Sequence, residues 1–417
     1  MKTNKLWTRN HKINKFFVFP QERGGDYVDL IGQIGFVKYY EDIVDPSLHV
    51  EISVVDPFGI INQAPIRSGG EVVLQVEHPS QDDPIDLKLI ITNIVGHVID
   101  QKRELYTLVC ERIGAMSNHT TRVIRKYTGS IGVSVSDIIS EYVIADDKNL
   151  KWADFDTTSN TLEFYGNYRR PFKVVSDLCR KSIWSGDGSE NGNSGSAGYL
   201  FFETLDGYNF KSIDATMQQE GRFTYSMTPY KDALDIKSNF MVASEPKFTE
   251  SHDLLKKLRS GTYSSANWYY DILTRKVLFY NFNYNKDIVK ANEEVPQYDG
   301  PYSRIILSTL DQGTATINEN GLDVSTPQDQ ARTQAQASAR YSALFSQTLD
   351  ITIPMNISLR AGNVLNIEFP NINTDNKFFV SPESGKYMIS RLSHEFGNPD
   401  GDFTGLTLVR DSFTPNE

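Results

Sequence analysis

Seven histidines, two cysteines and 53 acidic side chains are the groups with which this 417-residue chain could do chemistry. The histidines are His11, His49, His78, His97, His119, His252 and His394. No two of them share the four-residue spacing of a zinc-protease helix, and His394-Glu395 lacks the second histidine. With no Cys-x-x-Cys pair either, no metal site is expected. Cys110 falls in a predicted strand and Cys179 on an apolar helix position, where an unpaired cysteine is a small core residue rather than a nucleophile. Two cysteines make no disulfide framework, which points to a reducing compartment. No Gly-x-Ser-x-Gly, Walker A or Rossmann fingerprint occurs, and the Gly186–Gly198 loop lacks the Lys-Ser/Thr ending of a phosphate cradle. A glycosidase needs two carboxylates about 5–10 Å apart, and nothing in the sequence singles out such a pair. No catalytic or cofactor-binding residue is therefore expected.

Hydrophobic residues make up 39% and charged residues 23%, enough for more than one core and about three domains. The 42 Lys and Arg leave a net charge of −11, which argues against a nucleic-acid coat. No apolar run approaches the ~18 residues of a membrane helix. The basic N-terminus lacks the apolar stretch of a secretory signal. Residues 1–26 read as a basic, solvated arm anchored by Phe16, Phe17 and Phe19, or as an arm docking on an acidic neighbour. From 27 to 117 short strands alternate with turns: Val50–Val54, Val72–Val76, Leu89–Ile91, Leu105–Val109. These suit an antiparallel barrel or sandwich.

Residues 118–221 read as an α+β module. A helix capped at Ser136 and another opening at Pro171 precede Tyr199–Thr204 and Tyr208–Ile213, a hairpin turning at Asp206-Gly207 with both central residues expected at positive φ. Residues 222–312 are aromatic-rich, and Phe223, Tyr225, Trp268, Tyr269, Tyr270, Phe279 and Tyr280 are expected in core or interface. A short helix capped by Ser251 ends at Gly261, and Trp268–Ile272 pairs with Lys276–Tyr280. Ala331, Ala335 and Ala339 form a packing stripe on a helix starting at Ser325-Thr326-Pro327. The whole reads as α+β, β-dominated.

Residues 66–112 resemble residues 359–411. Ile66-Arg67-Ser68-Gly69-Gly70 matches Leu359-Arg360-Ala361-Gly362. Val73-Leu74-Gln75-Val76-Glu77 matches Val364-Leu365-Asn366-Ile367-Glu368. Lys88–Ile94 matches Lys386–Leu392, and Tyr106-Thr107-Leu108-Val109 matches Leu406-Thr407-Leu408-Val409. The order is kept and only loops change length. Two similar β-domains are expected, with Val73, Leu74, Val76, Leu108, Val364, Leu365, Ile367 and Leu408 in their cores. Three such chains in a ring place six similar domains around one axis.

In this order of parts, over nearly the whole chain, the sequence resembles the central baseplate hub proteins of contractile-tailed bacteriophages, the family that includes the N-terminal half of type VI secretion spike proteins. The pieces that carry it are IRSGGEVVLQVEHP, the helix PFKVVSDLCRKS, the hairpin YLFFETLDGYNFKS, the Ala-rich helix and ISLRAGNVLNIEFP. The resemblance implies two tube-like antiparallel β-barrels, at 27–117 and at 222–250 with 340–417, and an inserted α+β module at 251–339. It implies a homotrimer whose pseudo-hexameric ring adapts a hexameric tail tube, or tube initiator, to a trimeric spike on a separate chain, since no β-helix precedes Glu417. Wedge proteins would surround it. DNA and the tape-measure protein would pass the lumen, where acidic walls let DNA slide without specific binding. The place would be the virion baseplate, assembled in the host cytoplasm. Alternatives are a hub-associated peptidoglycan hydrolase and a glycan- or receptor-binding tail protein.

Overall fold

Alternating burial builds the first part of the chain. The computed structural model describes residues 11–21, 26–81, 83–100, 102–146, 150–186, 195–226, 240–242, 244–251, 253–272, 275–288, 302–310, 316–318, 321–323, 327–369, 383–397 and 401–411. Strands β1 (Lys12–Phe19), β2 (Val28–Asp29), β3 (Ile34–Asp42), β4 (His49–Asp56), β5 (Glu71–Glu77), β6 (Ile85–Ile99) and β7 (Glu104–Glu111) are joined with helix α1 (Ile60–Gln63). Their order across the sheet is β3-β4-β7-β6-β5-β1-β2. Every ladder is antiparallel. Val50, Ile52 and Val54 of β4 and Val72, Leu74 and Val76 of β5 turn to one face and are buried, as a two-residue period requires.

The N-terminal segment departs from the solvated arm expected over 1–26. Its residues 12–19 are β1, paired along β5, with Phe16 and Val18 fully buried. Lys12 and Lys15 precede the buried Phe16 and Val18 in the strand, so the segment's net charge gave no warning of it.

The next module holds α2 (Ile113–Thr120), β8 (Lys126–Tyr127), α3 (Ile131–Tyr142), β9 (Trp152–Phe155), β10 (Phe164–Tyr165), α4 (Pro171–Cys179), β11 (Tyr199–Thr204), β12 (Gly207–Ser212) and α5 (Ile213–Met217). Helix α3 starts after Ser130, earlier than the cap expected at Ser136, because Ile131 and Val135 extend its buried face. Helices α3 and α4 pack Val135, Ile138, Val174 and Val175 against Phe201, Tyr208 and Phe210 of the hairpin. That hairpin pairs Thr204 with Gly207, leaving Leu205-Asp206 as its loop. Asp206 is not at positive φ, so the expected two-residue positive-φ turn is absent. Gly207 alone takes a positive φ, +135°, which glycine adopts freely, and a Cβ there would meet the Lys151 carbonyl at 2.2 Å. Residues 187–194 of the glycine-rich loop lie outside the described residues.

Strands β13 (Thr224–Ser226), β14 (Phe240–Val242) and β15 (Ser244–Ser251) follow. Then come α6 (Leu254–Ser260), β16 (Ser264–Asp271), β17 (Lys276–Asn283), α7 (Tyr284–Asp287), β18 (Arg304–Leu310), β19 (Thr316–Asn318), β20 (Gly321–Asp323) and α8 (Pro327–Leu344). Asp253, not Ser251, caps α6, its carboxylate accepting from the Lys256 N–H at 2.9 Å. Ser251 is instead the end of β15. The three-stranded sheet β17-β16-β18 lies on α8, where Ala331, Ala335, Ala339 and Ala343 meet Tyr269, Phe282, Tyr284 and Leu310. The alanine stripe is a packing surface.

The chain closes with β21 (Gln347–Pro354), β22 (Val364–Glu368), β23 (Gly385–Phe396) and β24 (Phe403–Arg410). Across the sheet the later strands run β15-β21-β24-β23-β22-β13-β14. This is the connectivity of β3-β4-β7-β6-β5-β1-β2, strand for strand in chain order. One difference stands: β13 is parallel to both of its neighbours, whereas β1 is antiparallel to both of its own. The half of β23 that extends beyond β22 pairs with β3, from Arg391 opposite Asp42 to Phe396 opposite Val37. The two strand sets thereby form one 14-stranded sheet over a shared core.

Hydrogen bonds correct the residue matching made from sequence. Gly69 N–H donates to Ile91 and Gly362 N–H to Ile389; in return Ile91 donates to Gly70 and Ile389 to Asn363. A β-bulge falls between Ile91 and Asn93 in β6 and between Ile389 and Arg391 in β23; β6 has a second, between Val95 and Val98, that β23 lacks. Glu71 faces Ile90 and Val364 faces Met388, so Val364 takes the place of Glu71, not Val73. Ile94 faces Leu108 and Leu392 faces Leu406, so Leu108 corresponds to Leu406 rather than Leu408. A two-residue slip keeps the alternation intact, which is why the sequence did not expose it.

Candidate assembly surfaces

Three places combine several segments of the chain. The first is a buried polar clamp around the tip of the β11–β12 hairpin. Glu41, on β3, is 1% exposed. One of its oxygens accepts from Leu205 N–H at 2.8 Å and from the Tyr39 hydroxyl, the other from Ala361 N–H at 2.7 Å. A single carboxylate thus ties the first strand set, the hairpin tip and the turn before β22. Arg360 donates to Asp206 at 2.9 Å and to the carbonyls of Ile357 and Leu359. Arg112 reaches Glu203 at 3.3 Å and the Leu205 carbonyl at 2.9 Å. Glu203 also accepts from Leu48 N–H at 3.0 Å. Burial outweighs Arg112 and raises the Glu203 carboxyl to about 7; burial likewise raises that of Glu41. Such a network is costly to assemble and costlier to break at one member.

The second place is the face of the β17-β16-β18 sheet turned away from α8. Register places Phe279, Trp268 and Leu307 in one row, and Ile305 beside Ala266 in the next. Trp268 meets the Phe279 ring edge-on at 5.2 Å. Tyr270, Ile272 and Val277 extend the patch, and Phe279 and Leu307 are 64% and 72% exposed. Contiguous exposed apolar surface of this kind marks an interaction site. Of the aromatics expected in core or interface, Tyr269 and Tyr225 are buried, while Trp268, Tyr270 and Phe279 line this open face.

The third is the far half of β6. Beyond Ile91 its outer edge carries no ladder among the described residues, and Val95, Val98 and Ile99 are exposed.

The residues expected in the β-cores are distributed as follows. Leu74, Val76, Leu108, Leu365, Ile367 and Leu408 meet in the shared core. Val364 is buried in a separate cluster with Phe202 and Met388. Val73 is half-buried on the opposite face. Asp206 and Gly207 form the clamped hairpin tip. Glu41, Arg112, Glu203 and Arg360 escaped the sequence, since their partners are remote in the chain and no local spacing marks them. Cys110 and Cys179 are buried and unbridged. Among the described residues no group of three His, Cys, Asp or Glu is placed to hold a metal ion, and no helix is long and apolar enough to cross a membrane.

No protein family matches the chain by sequence, and no curated protein does. Solved structures do match in fold. A tail protein from Neisseria meningitidis MC58 superimposes with a TM-score of 0.56 at 8% identity, over 97% of this chain and 98% of that one. The 43 kDa tail protein of prophage MuSo2 from Shewanella oneidensis gives 0.53 at 9% identity, over 95% and 98%. The chain has the fold of these tail proteins from end to end.

Proposed function

We propose that this protein is the central baseplate hub of a contractile phage tail, a structural virion component rather than an enzyme. Three copies form a ring in which the two strand sets of each chain alternate as six similar units around a lumen. The ring adapts a hexameric tail tube, or its initiator, to a trimeric spike, inside a collar of wedge proteins. Genome DNA and the tape-measure protein traverse the lumen, and the net charge of −11 favours sliding over sticking. Assembly takes place in the host cytoplasm.

The observation that carries this reading is the strand connectivity shared by β1–β7 and β13–β15 with β21–β24, including the matched bulge and turn hydrogen bonds. Two like units in one chain, already joined edge to edge by β3 and β23, are what a threefold object needs to meet a sixfold one. The likeness in fold to two tail proteins over nearly their full lengths supports the same reading. The open β17-β16-β18 face serves a protein neighbour in the tail. Its aromatics alone would suit a sugar, but Val277, Ile305 and Leu307 offer a sugar neither stacking nor hydrogen bonds. A glycan array tests that second reading, and zymography on peptidoglycan tests the hydrolase one.

Sedimentation and particle images of the purified protein test the proposal. Trimers with six lobes around a channel are expected. A stable monomer that binds neither tube nor spike component overturns it.

A further inference from the structure

We propose that the bare outer edge of β6 seats strand β15 of a second copy of this chain, so that copies join head to tail by extending one another's sheets. The inference rests on the trimeric reading above and adds the surface on which copies meet. It follows from one joint already present inside the chain. Strand β23 is the sixth strand of the second set, and its far half, Arg391 to Phe396, pairs with β3, the third strand of the first set. Its counterpart, the sixth strand of the first set, is β6. The bulge after Ile91 and the hydrogen bonds of Ile91 to the Gly69-Gly70 turn repeat those of Ile389. Asn93 to Ile99, with one extra residue in the bulge between Val95 and Val98, therefore stand where Arg391 to Phe396 stand in β23. There β23 has a strand beside it; β6 has none among the described residues.

The chemistry of that stretch fits a missing strand. An uncovered strand edge presents a row of backbone donors and acceptors ready to pair. Ile99 is 71% exposed, whereas Phe396, at the equivalent place once the second bulge of β6 is counted, is 2% exposed. The chain itself supplies the occupant. The third strand of the second set, the counterpart of β3, is β15, which pairs only with β21 among the described residues. Each chain thus carries both halves of the joint it uses internally, one on each strand set. Unlike halves on one molecule make a heterologous contact, which closes into a ring when the rotation allows. Pro246 lacks an N–H and limits the new ladder to the Lys247–Ser251 end of β15.

Two variants of the full chain test this. Val98→Lys with Ile99→Lys charges the β6 edge without touching the buried face. Thr249→Pro alters β15 at a bulge that the β21 register skips, where Pro is tolerated. The unaltered chain is expected to sediment as a trimer, and each variant as a monomer with unchanged circular dichroism. An equal mixture of the two variants keeps one intact half-joint of each kind, so it should give heterodimers and nothing larger. A folded β6 variant that remains trimeric overturns the inference while the hub reading stands. A mixture without dimers overturns the head-to-tail arrangement. A monomeric parent removes the hub reading and this with it. If a variant misfolds, hydrogen exchange on the parent decides: slow exchange at residues 93–99 in the trimer supports the joint, and fast exchange refutes it.

Discussion

Strands β6 and β23 hold the same place in their two sets, yet one half of β6 lies open where the same half of β23 is buried. Up to the bulge the strands behave alike, with Leu89 and Ile91 as buried as Tyr387 and Ile389. Past it they part. Leu392, His394 and Phe396 are enclosed, while on β6 Ile94, the counterpart of Leu392, is only partly buried, and His97 and Ile99, the latter the counterpart of Phe396, are exposed. The difference lies in β3, which covers one edge and has no equivalent beside the other among the described residues. Burial at a strand position is thus a property of the neighbour, and the residue types follow only in part.

The sharpest test of this contrast is a pair of truncations. Phe396→Ala should cost about 3–5 kcal/mol, as for other fully buried aromatics. Ile99→Ala, at the counterpart position, should change the stability of the isolated chain by no more than about 0.5 kcal/mol. Urea unfolding of dilute protein measures both, and equal losses would erase the distinction. Next in size is Glu41→Ala, beside the seam. It leaves the buried N–H groups of Leu205 and Ala361 without an acceptor, a loss of about 2–4 kcal/mol.

Protonation gives a third test. The Glu203 carboxyl is raised by burial from 4.5 to about 7. Between those values the folded chain holds a proton that the unfolded chain has released, so stability falls as pH rises through that window. Glu203→Gln should flatten the slope, a change on the order of 1 kcal/mol or more between pH 5 and 7.5. An unchanged slope would mean that Glu203 is ionised in the folded chain throughout. The smallest effect is expected on the solvent side of the seam. Arg391 meets Asp42 at 2.8 Å but is 66% exposed, so Arg391→Ala should cost less than about 1 kcal/mol in the same urea assay.

Much of the strand inventory was legible because alternation reports a half-buried strand directly. Likeness between residues 66–112 and 359–411 was visible as well, through Arg67-x-Gly69 and Arg360-x-Gly362. What alternation could not supply was phase, since a slip by two leaves apolar residues on apolar residues. Only the turn bonds from Gly69 and Gly362 fix it. The first strand was missed because Lys12 and Lys15 dominate the composition of a segment whose buried members are Phe16 and Val18. The clamp was illegible for another reason. Glu41, Glu203 and Arg360 meet across chain separations that no local pattern encodes. The open aromatic face was half legible: strand residues alternate between two faces, and the sequence does not say that α8 covers only one.

The seam also sets a timetable. Asp42 and Arg391 are 349 residues apart in the chain. At about 5–20 residues per second of synthesis, β3 waits roughly 20–70 seconds for the strand that covers its edge. Throughout that interval a nascent chain exposes a pairing template, and Lys38 and Asp42 place charges along it that discourage the wrong strand. Any product that stops short of Gly385 keeps this edge uncovered, so a covered edge reports that synthesis has passed β23.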